Sequence, residues 1–285
     1  MQTMITLRCL LIFALEATVV AVLLSVFLSF ALAWYERANS EPQLIERRFN
    51  LSGLSLPLWL MVQEAACLLI TLLLRPLGWL PHKLPAGQVG DGDRVVILLH
   101  GLFQNRSCLL WLAYRLRQAG FRHVYSINTP PWRDLETLTE ILVRKVDELR
   151  LTHKVEQVDL VGHSMGGMIG RNYVQHRGGS SKVGRLVTLG SPHQGSKLAP
   201  FALSKMGRSL QPGSTFLKRF NQGDWPETTM VTTIYSRHDN IILPIDSARI
   251  KGLPAVELDG MGHTALLFHP RALQAVVDAL KKEPT

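Results

Sequence analysis

Val158-Asp159-Leu160-Val161-Gly162-His163-Ser164-Met165-Gly166-Gly167 decides the reading of this chain. A short apolar run ends in a Gly-x-Ser-x-Gly pattern, and Met165 to His176 continues with helical character. A strand, a tight turn and a helix in that order push a serine hydroxyl out at the end of a parallel sheet. Glycines flank such a turn because its backbone is strained and neighbouring segments pass close. Ser164 is therefore a candidate nucleophile. A serine that merely caps a helix, with glycines for packing, is the competing reading of the five residues. The wider context favours the nucleophile.

Strand-like and helix-like segments alternate from Arg94 onward. Val95–Leu99, Val124–Asn128, Val158–Val161, Leu186–Leu189, Met230–Tyr235 and Val256–Leu258 read as strands. Ser107–Gln118, Leu135–Arg150, the segment after Ser164 and Pro270–Lys281 read as helices; Leu138, Ile141, Leu142, Val146 and Leu149 recur at helical spacing. This alternation implies an α/β fold with a mostly parallel sheet covered on both faces. Ligands of such sheets bind beyond the carboxyl ends of the strands, where Ser164 stands.

The front of the chain is of another kind. Cys9–Trp34 is almost continuously apolar and would be about 39 Å long as a helix. Leu56–Leu74 is a second such run, about 28 Å long. The first exceeds a hydrocarbon core of about 30 Å and the second nearly matches it. Trp34, Tyr35, Trp59 and Trp79 lie near the run ends, where amphipathic rings favour an interface. We read residues 1–85 as a membrane anchor of two transmembrane helices (about 9–34 and 56–74) and residues 90–285 as the catalytic domain. A cleaved signal peptide for the first run, or a buried core helix for the second, are the competing readings. Glu16 and Glu64 interrupt these runs at a cost in lipid. Each is expected to face the partner helix or another protein surface and, in at least one case, to keep its proton. Arg8, Arg75, Lys83 and Arg94 on one side against Arg37, Arg47 and Arg48 on the other lean towards a cytoplasmic catalytic domain.

Composition agrees with a membrane protein. The 285 residues are 47% hydrophobic and carry a net charge of +9. A basic surplus suits an anionic membrane surface or nucleic acid. No nucleic-acid motif accompanies it and the basic residues are scattered, so a membrane partner is expected and nucleic acid is not. Cys9, Cys67 and Cys108 form no disulfide framework and no metal motif. No cofactor or metal is expected.

A serine needs a base, and the base needs a group that orients it. Asp239 follows a strand, and His263 lies in the glycine-bearing loop after the next one. The order serine, acid, histidine suits this fold. Asp246 and Asp259 are alternative acids and His269 an alternative base; position relative to the strands favours Asp239 and His263. The oxyanion needs donors. The loop His100-Gly101-Leu102-Phe103 can supply the Leu102 or Phe103 amide, and Met165 a second one.

Gly162–Gly167, the His100-Gly101 loop, Gly190-Ser191-Pro192-His193-Gln194-Gly195 and the settings of Asp239 and His263 together resemble the bacterial lipase/esterase branch of the α/β-hydrolase superfamily. The resemblance covers about residues 94–280. It implies a doubly wound sheet of minimal α/β-hydrolase type, lacking the usual first two strands, and a triad of Ser164, His263 and Asp239. It implies a serine carboxylic-ester hydrolase; the anchor, which lies outside the resemblance, and the apolar insertion add the expectation of lipid or other acyl-ester substrates at a bacterial inner membrane. An acyltransferase or peptidase with the same triad, or a non-catalytic membrane scaffold, are the alternatives. Residues 191–229 form a long insertion with apolar residues among basic ones. It reads as a lid that could rest on lipid, or as a cap packed permanently on the core.

Overall fold

The computed structural model describes residues 2–40, 55–80 and 93–283. Strands β1 (Val95–Leu99), β2 (His123–Ile127), β3 (Val158–His163), β4 (Val183–Leu189), β5 (Met230–Ser236) and β6 (Ala255–Leu258) form one sheet in the order β2-β1-β3-β4-β5-β6. Every neighbouring pair is parallel. The chain runs outward from β1 to β2, then returns to β3 and proceeds to the other edge. The order reverses between β1 and β3, which opens a crevice at their carboxyl ends. β1 and β3 are buried at every position, as continuous apolar runs in a doubly covered sheet must be. β6 lies at an edge and alternates between exposed and half-buried positions.

The α-helices of the described chain are α1 (Gln2–Ser40), α2 (Ser55–Leu74), α3 (Leu110–Gln118), α4 (Leu135–His153), α5 (Met165–His176), α6 (Lys205–Ser209), α7 (Thr215–Phe220) and α8 (Pro270–Lys281), with short 3-10 turns between elements. Leu138, Leu142, Val146 and Leu149 of α4 and Met168, Ile169 and Tyr173 of α5 join Ile97, Leu99, Leu160 and Leu186 in one core. Leu112 and Leu116 of α3 and Leu273, Val276 and Leu280 of α8 join Val96, Leu98, Val161 and Val187 in a second. The alternate residues of each strand thus feed opposite faces, the period-two rule of a strand. Asp134 caps α4 by accepting from the Thr137 amide at 2.8 Å.

The two apolar helices pack together through Val22, Val26, Phe30, Leu60 and Ala65. Leu10, Phe13, Leu24, Phe27, Leu58, Trp59 and Leu73 stay exposed on their outer faces. α1 runs six residues beyond the apolar stretch at its carboxyl end. Apolarity ends at Trp34, whereas helical hydrogen bonding continues through polar residues to Ser40, with Glu36 paired to Lys197. Glu16 is exposed, against the expectation that it faces protein, whereas Glu64 is buried against the sheet domain as expected. Arg47, Arg48, Lys83 and the boundary expected at 85–90 lie outside the described residues.

The insertion 191–229 divides in two. Met206, Leu210, Leu217 and Phe220 are buried in the α4–α5 core. Phe201 and Leu203 are 72% and 88% exposed. α6 and α7 therefore pack on the core in this structure, while Phe201 and Leu203 are exposed apolar residues of the insertion.

The tightest packing lies under the β3–α5 turn. A Cβ on Gly162 would stand 2.4 Å from the Gly166 and Gly167 backbone, and one on Gly166 would stand 2.3 Å from the Leu99 carbonyl oxygen. Backbone cannot yield as a flexible side chain can. We expect Gly162→Ala and Gly166→Ala each to destabilise the fold by about 1–3 kcal/mol or more through overpacking. Leu151→Ala, at an 80% exposed site, is expected to stay within about 0.5 kcal/mol. Thermal unfolding of the three variants checks this.

Candidate active site

Ser164 sits between β3 and α5 with φ +53° and ψ −121°, a backbone that a side-chain-bearing residue adopts only under constraint. Its amide donates to the Leu189 carbonyl at 2.9 Å, and its carbonyl accepts from the Gly167 amide at 3.1 Å. The turn is thereby clamped to β4 on one side and to its own helix on the other.

Asp239 and His263 follow β5 and β6. His263 Nδ1 lies 2.8 Å from Asp239 Oδ2, with both side chains nearly fully buried. Asp239 Oδ1 accepts from the Ile241 and Ile242 amides at 2.8 and 2.9 Å. The carboxylate therefore has its direction set by its own loop. Burial alone would depress the His263 imidazole, but the charge and hydrogen bond of Asp239, with the Glu64 charge, outweigh it and raise the ring above its ordinary value of 6.5. Asp246 is largely exposed near Arg249, and Asp259 pairs with Arg271. His269 caps α8 by accepting from the Arg271 amide. The alternative acids and base are thus engaged elsewhere.

His163, next to the serine, closes the gap. Its Nε2 donates to the His263 carbonyl at 3.1 Å, and the two rings stand 4.7 Å apart. Ser164 and His263 are thereby brought to the same rim, although no hydrogen bond joins the serine hydroxyl to the imidazole among the described residues. In an unliganded site such a bond is often long and tightens only with substrate.

On the other side, the loop after β1 leans on the turn. A Cβ on Gly101 would lie 3.1 Å from Ser164 Cβ and 3.2 Å from His163 Nδ1. The Gly101 amide donates to Gln104 Oε1 and the Gly101 carbonyl accepts from the Gln104 amide, at 3.1 and 3.3 Å. Phe103 adopts φ +59° and packs edge-on against Trp132. His100 locks this loop. Its Nε2 accepts from the Thr129 amide at 3.0 Å, so Nδ1 carries the proton and donates to the Gly101 carbonyl at 2.8 Å. Burial lowers His100 to about 4, so the ring stays neutral and keeps that tautomer. Leu102 and Phe103 thus follow a braced turn. Met165 opens α5, where the first amides have no acceptor within the helix. The expected donors border the serine from two sides.

Gln104, Thr129 and Asn240 carry structural work that the sequence did not single out. Asn240 Oδ1 accepts from the His263 amide at 3.0 Å, and its Nδ2 donates to Ser29 Oγ of α1 at 2.7 Å. Asn240 adjoins Asp239 in sequence, which is the only local hint. The role of Thr129 depends on β2 lying beside β1, which no local pattern reveals.

Comparison with known proteins agrees with this architecture. Residues 94–232 match the family described as alpha/beta hydrolase fold. Among solved structures, a mature Bacillus licheniformis lipase is 19% identical over 68% of this chain and 95% of its own, with TM-score 0.58. Aspergillus fumigatus lipase B is 18% identical over 70% of this chain and 55% of its own, with TM-score 0.61. A Legionella pneumophila phospholipase is 14% identical over 67% and 60%, with TM-score 0.54. At these identities the likeness establishes the fold. Sheet order and family match together show that this domain has the α/β-hydrolase fold.

Proposed function

We propose that this protein is a membrane-associated serine hydrolase that cleaves carboxylic esters of lipids through an acyl-enzyme. The observation that carries the reading is the buried Asp239–His263 pair at the rim that holds Ser164. In this mechanism the Ser164 hydroxyl attacks the acyl carbonyl and His263 takes its proton. Asp239 holds the ring with its Nε2 towards the serine and stabilises the imidazolium. The Met165 amide and that of Leu102 or Phe103 receive the oxyanion. His263 then protonates the leaving alcohol, and water repeats the sequence to release the acid.

The lipid part of the reading has separate support. The neighbours that share the fold are named as lipases and a phospholipase. Phe103 and Trp132 pair at the loop beside the serine, and Trp132, Phe201 and Leu203 are strongly exposed. α1 and α2 are long and apolar enough to cross a hydrocarbon layer. An exposed apolar rim beside apolar helices suits a substrate drawn from a bilayer.

Fluorophosphonate labelling tests the nucleophile: it is expected to vanish in Ser164→Ala. Asp239→Asn should lower kcat on a short-chain ester by about 10³–10⁴-fold, because the ring loses its orienting carboxylate. Labelling that survives Ser164→Ala removes the reading. The base must be neutral to act, and His263 is held above its ordinary value. The acid limb of kcat/KM is therefore expected above pH 6.5, with activity falling as pH drops through it. For the insertion tip, Phe201→Ser with Leu203→Ser should reduce hydrolysis of vesicle-borne ester severalfold and leave that of a monomeric ester unchanged.

A further inference from the structure

Glu64 is an anomaly in its helix. It stands at the tenth position of the largely apolar α2 and is the one charged residue there, yet it is only 1% exposed. A carboxylate in such a place needs compensating hydrogen bonds. Glu64 Oε1 accepts from the Thr264 amide at 2.7 Å, and Oε2 accepts from the Ala265 amide at 3.0 Å. A Cβ on Gly262 would fall 2.5 Å from Oε2. The carboxylate therefore touches the main chain on both sides of His263, from a residue about 200 positions away.

A second tether comes from α1. Ser29 Oγ accepts from Asn240, and Asn240 accepts from the His263 amide. The amides of residues 263, 264 and 265 all end, directly or through Asn240, on the two apolar helices. The segment needs this support, since it contains Gly260 and Gly262 and Gly260 adopts φ +75°. A loop with that freedom does not fix a ring by itself.

Docking alone would not require a charge, since an amide or a hydroxyl can also accept hydrogen bonds. The groups facing the imidazole are Asp239 from the β5 loop, His163 from β3 and Glu64 from α2. His163 is held neutral by burial. Asp239 and Glu64 are thus the two carboxylates that bear on His263.

We propose that Glu64 is a positioning residue of the active site: its carboxylate holds residues 262–265 so that His263 faces Ser164, which makes the apolar hairpin a working part of the hydrolase. This rests on the function proposed above. The test uses the full chain in detergent micelles with a soluble short-chain ester, comparing wild type, Glu64→Gln and Glu64→Asp. Glu64→Gln keeps one acceptor and loses the charge. Its kcat is expected to fall about tenfold with KM within about twofold, an effect confined to the chemical step. Without the second negative charge the imidazolium is less favoured, so the acid limb of kcat/KM should move down by roughly 0.5–1 pH unit. Glu64→Asp keeps the charge and should leave the limb near its wild-type position. A Glu64→Gln protein with kcat within twofold of wild type, or with an unmoved acid limb, overturns the proposal. If Glu64→Gln does not accumulate folded, Ser29→Ala carries the test: a kcat reduced about two- to fivefold at constant KM supports the proposal and an unchanged kcat overturns it. Wild-type protein that neither labels with fluorophosphonate nor hydrolyses esters removes the hydrolase reading instead.

Discussion

A serine at φ +53° cannot hold that backbone unaided. The conformation costs on the order of 1–3 kcal/mol, and it persists only where surrounding structure over-determines it. Here the constraint comes from all sides of the β3–α5 turn. Leu189 accepts its amide, Gly167 donates to its carbonyl, and Gly166 rests on the Leu99 carbonyl with no room for a methyl group. The parallel sheet is what brings these groups together, since β1, β3 and β4 end side by side. Strand order thus sets the position of Ser164, and the loops after β1, β5 and β6 are arranged around it.

Charge is distributed around that point by burial. His100, His163 and His193 are all pushed down by desolvation, and their nearest partners are carbonyls, a hydroxyl or a backbone amide. Such rings stay neutral and serve as fixed struts. His263 is equally buried, but a carboxylate at 2.8 Å reverses the sign of the shift. One side-chain type therefore fills two distinct roles within a few ångströms, and the difference is the presence of an anion.

Much of the architecture could be read from the chain. The six strands and the main helices follow from apolar runs and their spacing, because each run must cover or enter a doubly covered sheet. Ser164, Asp239 and His263 could be singled out as candidates because each follows a strand, and strand ends share a rim. Helix ends were less legible: α1 continues to Ser40, where hydrogen bonding outlasts hydrophobicity. The part of the insertion that packs on the core could not be located in advance, since Met206, Leu217 and Phe220 look the same in sequence whether they meet core or lipid. Glu64 showed only as a misplaced charge. Its partners lie about 200 residues away, and no periodicity or spacing encodes a contact of that kind.

The turn after α2 ties the hairpin to the opposite end of the rim. Asn105 donates to the Arg75 carbonyl at 2.8 Å, and Asn128 and Arg106 both donate to that of Gly78, at 2.7 and 3.1 Å. An apolar front of this sort is routinely cut away to obtain a protein that dissolves without detergent. Here the cut would expose the apolar face around Cys67 and Leu109 and strip acceptors from amides beside both the β1 loop and residue 263. A trimmed chain would be an altered catalyst as well as a more soluble one, and its properties would not stand for those of the intact protein.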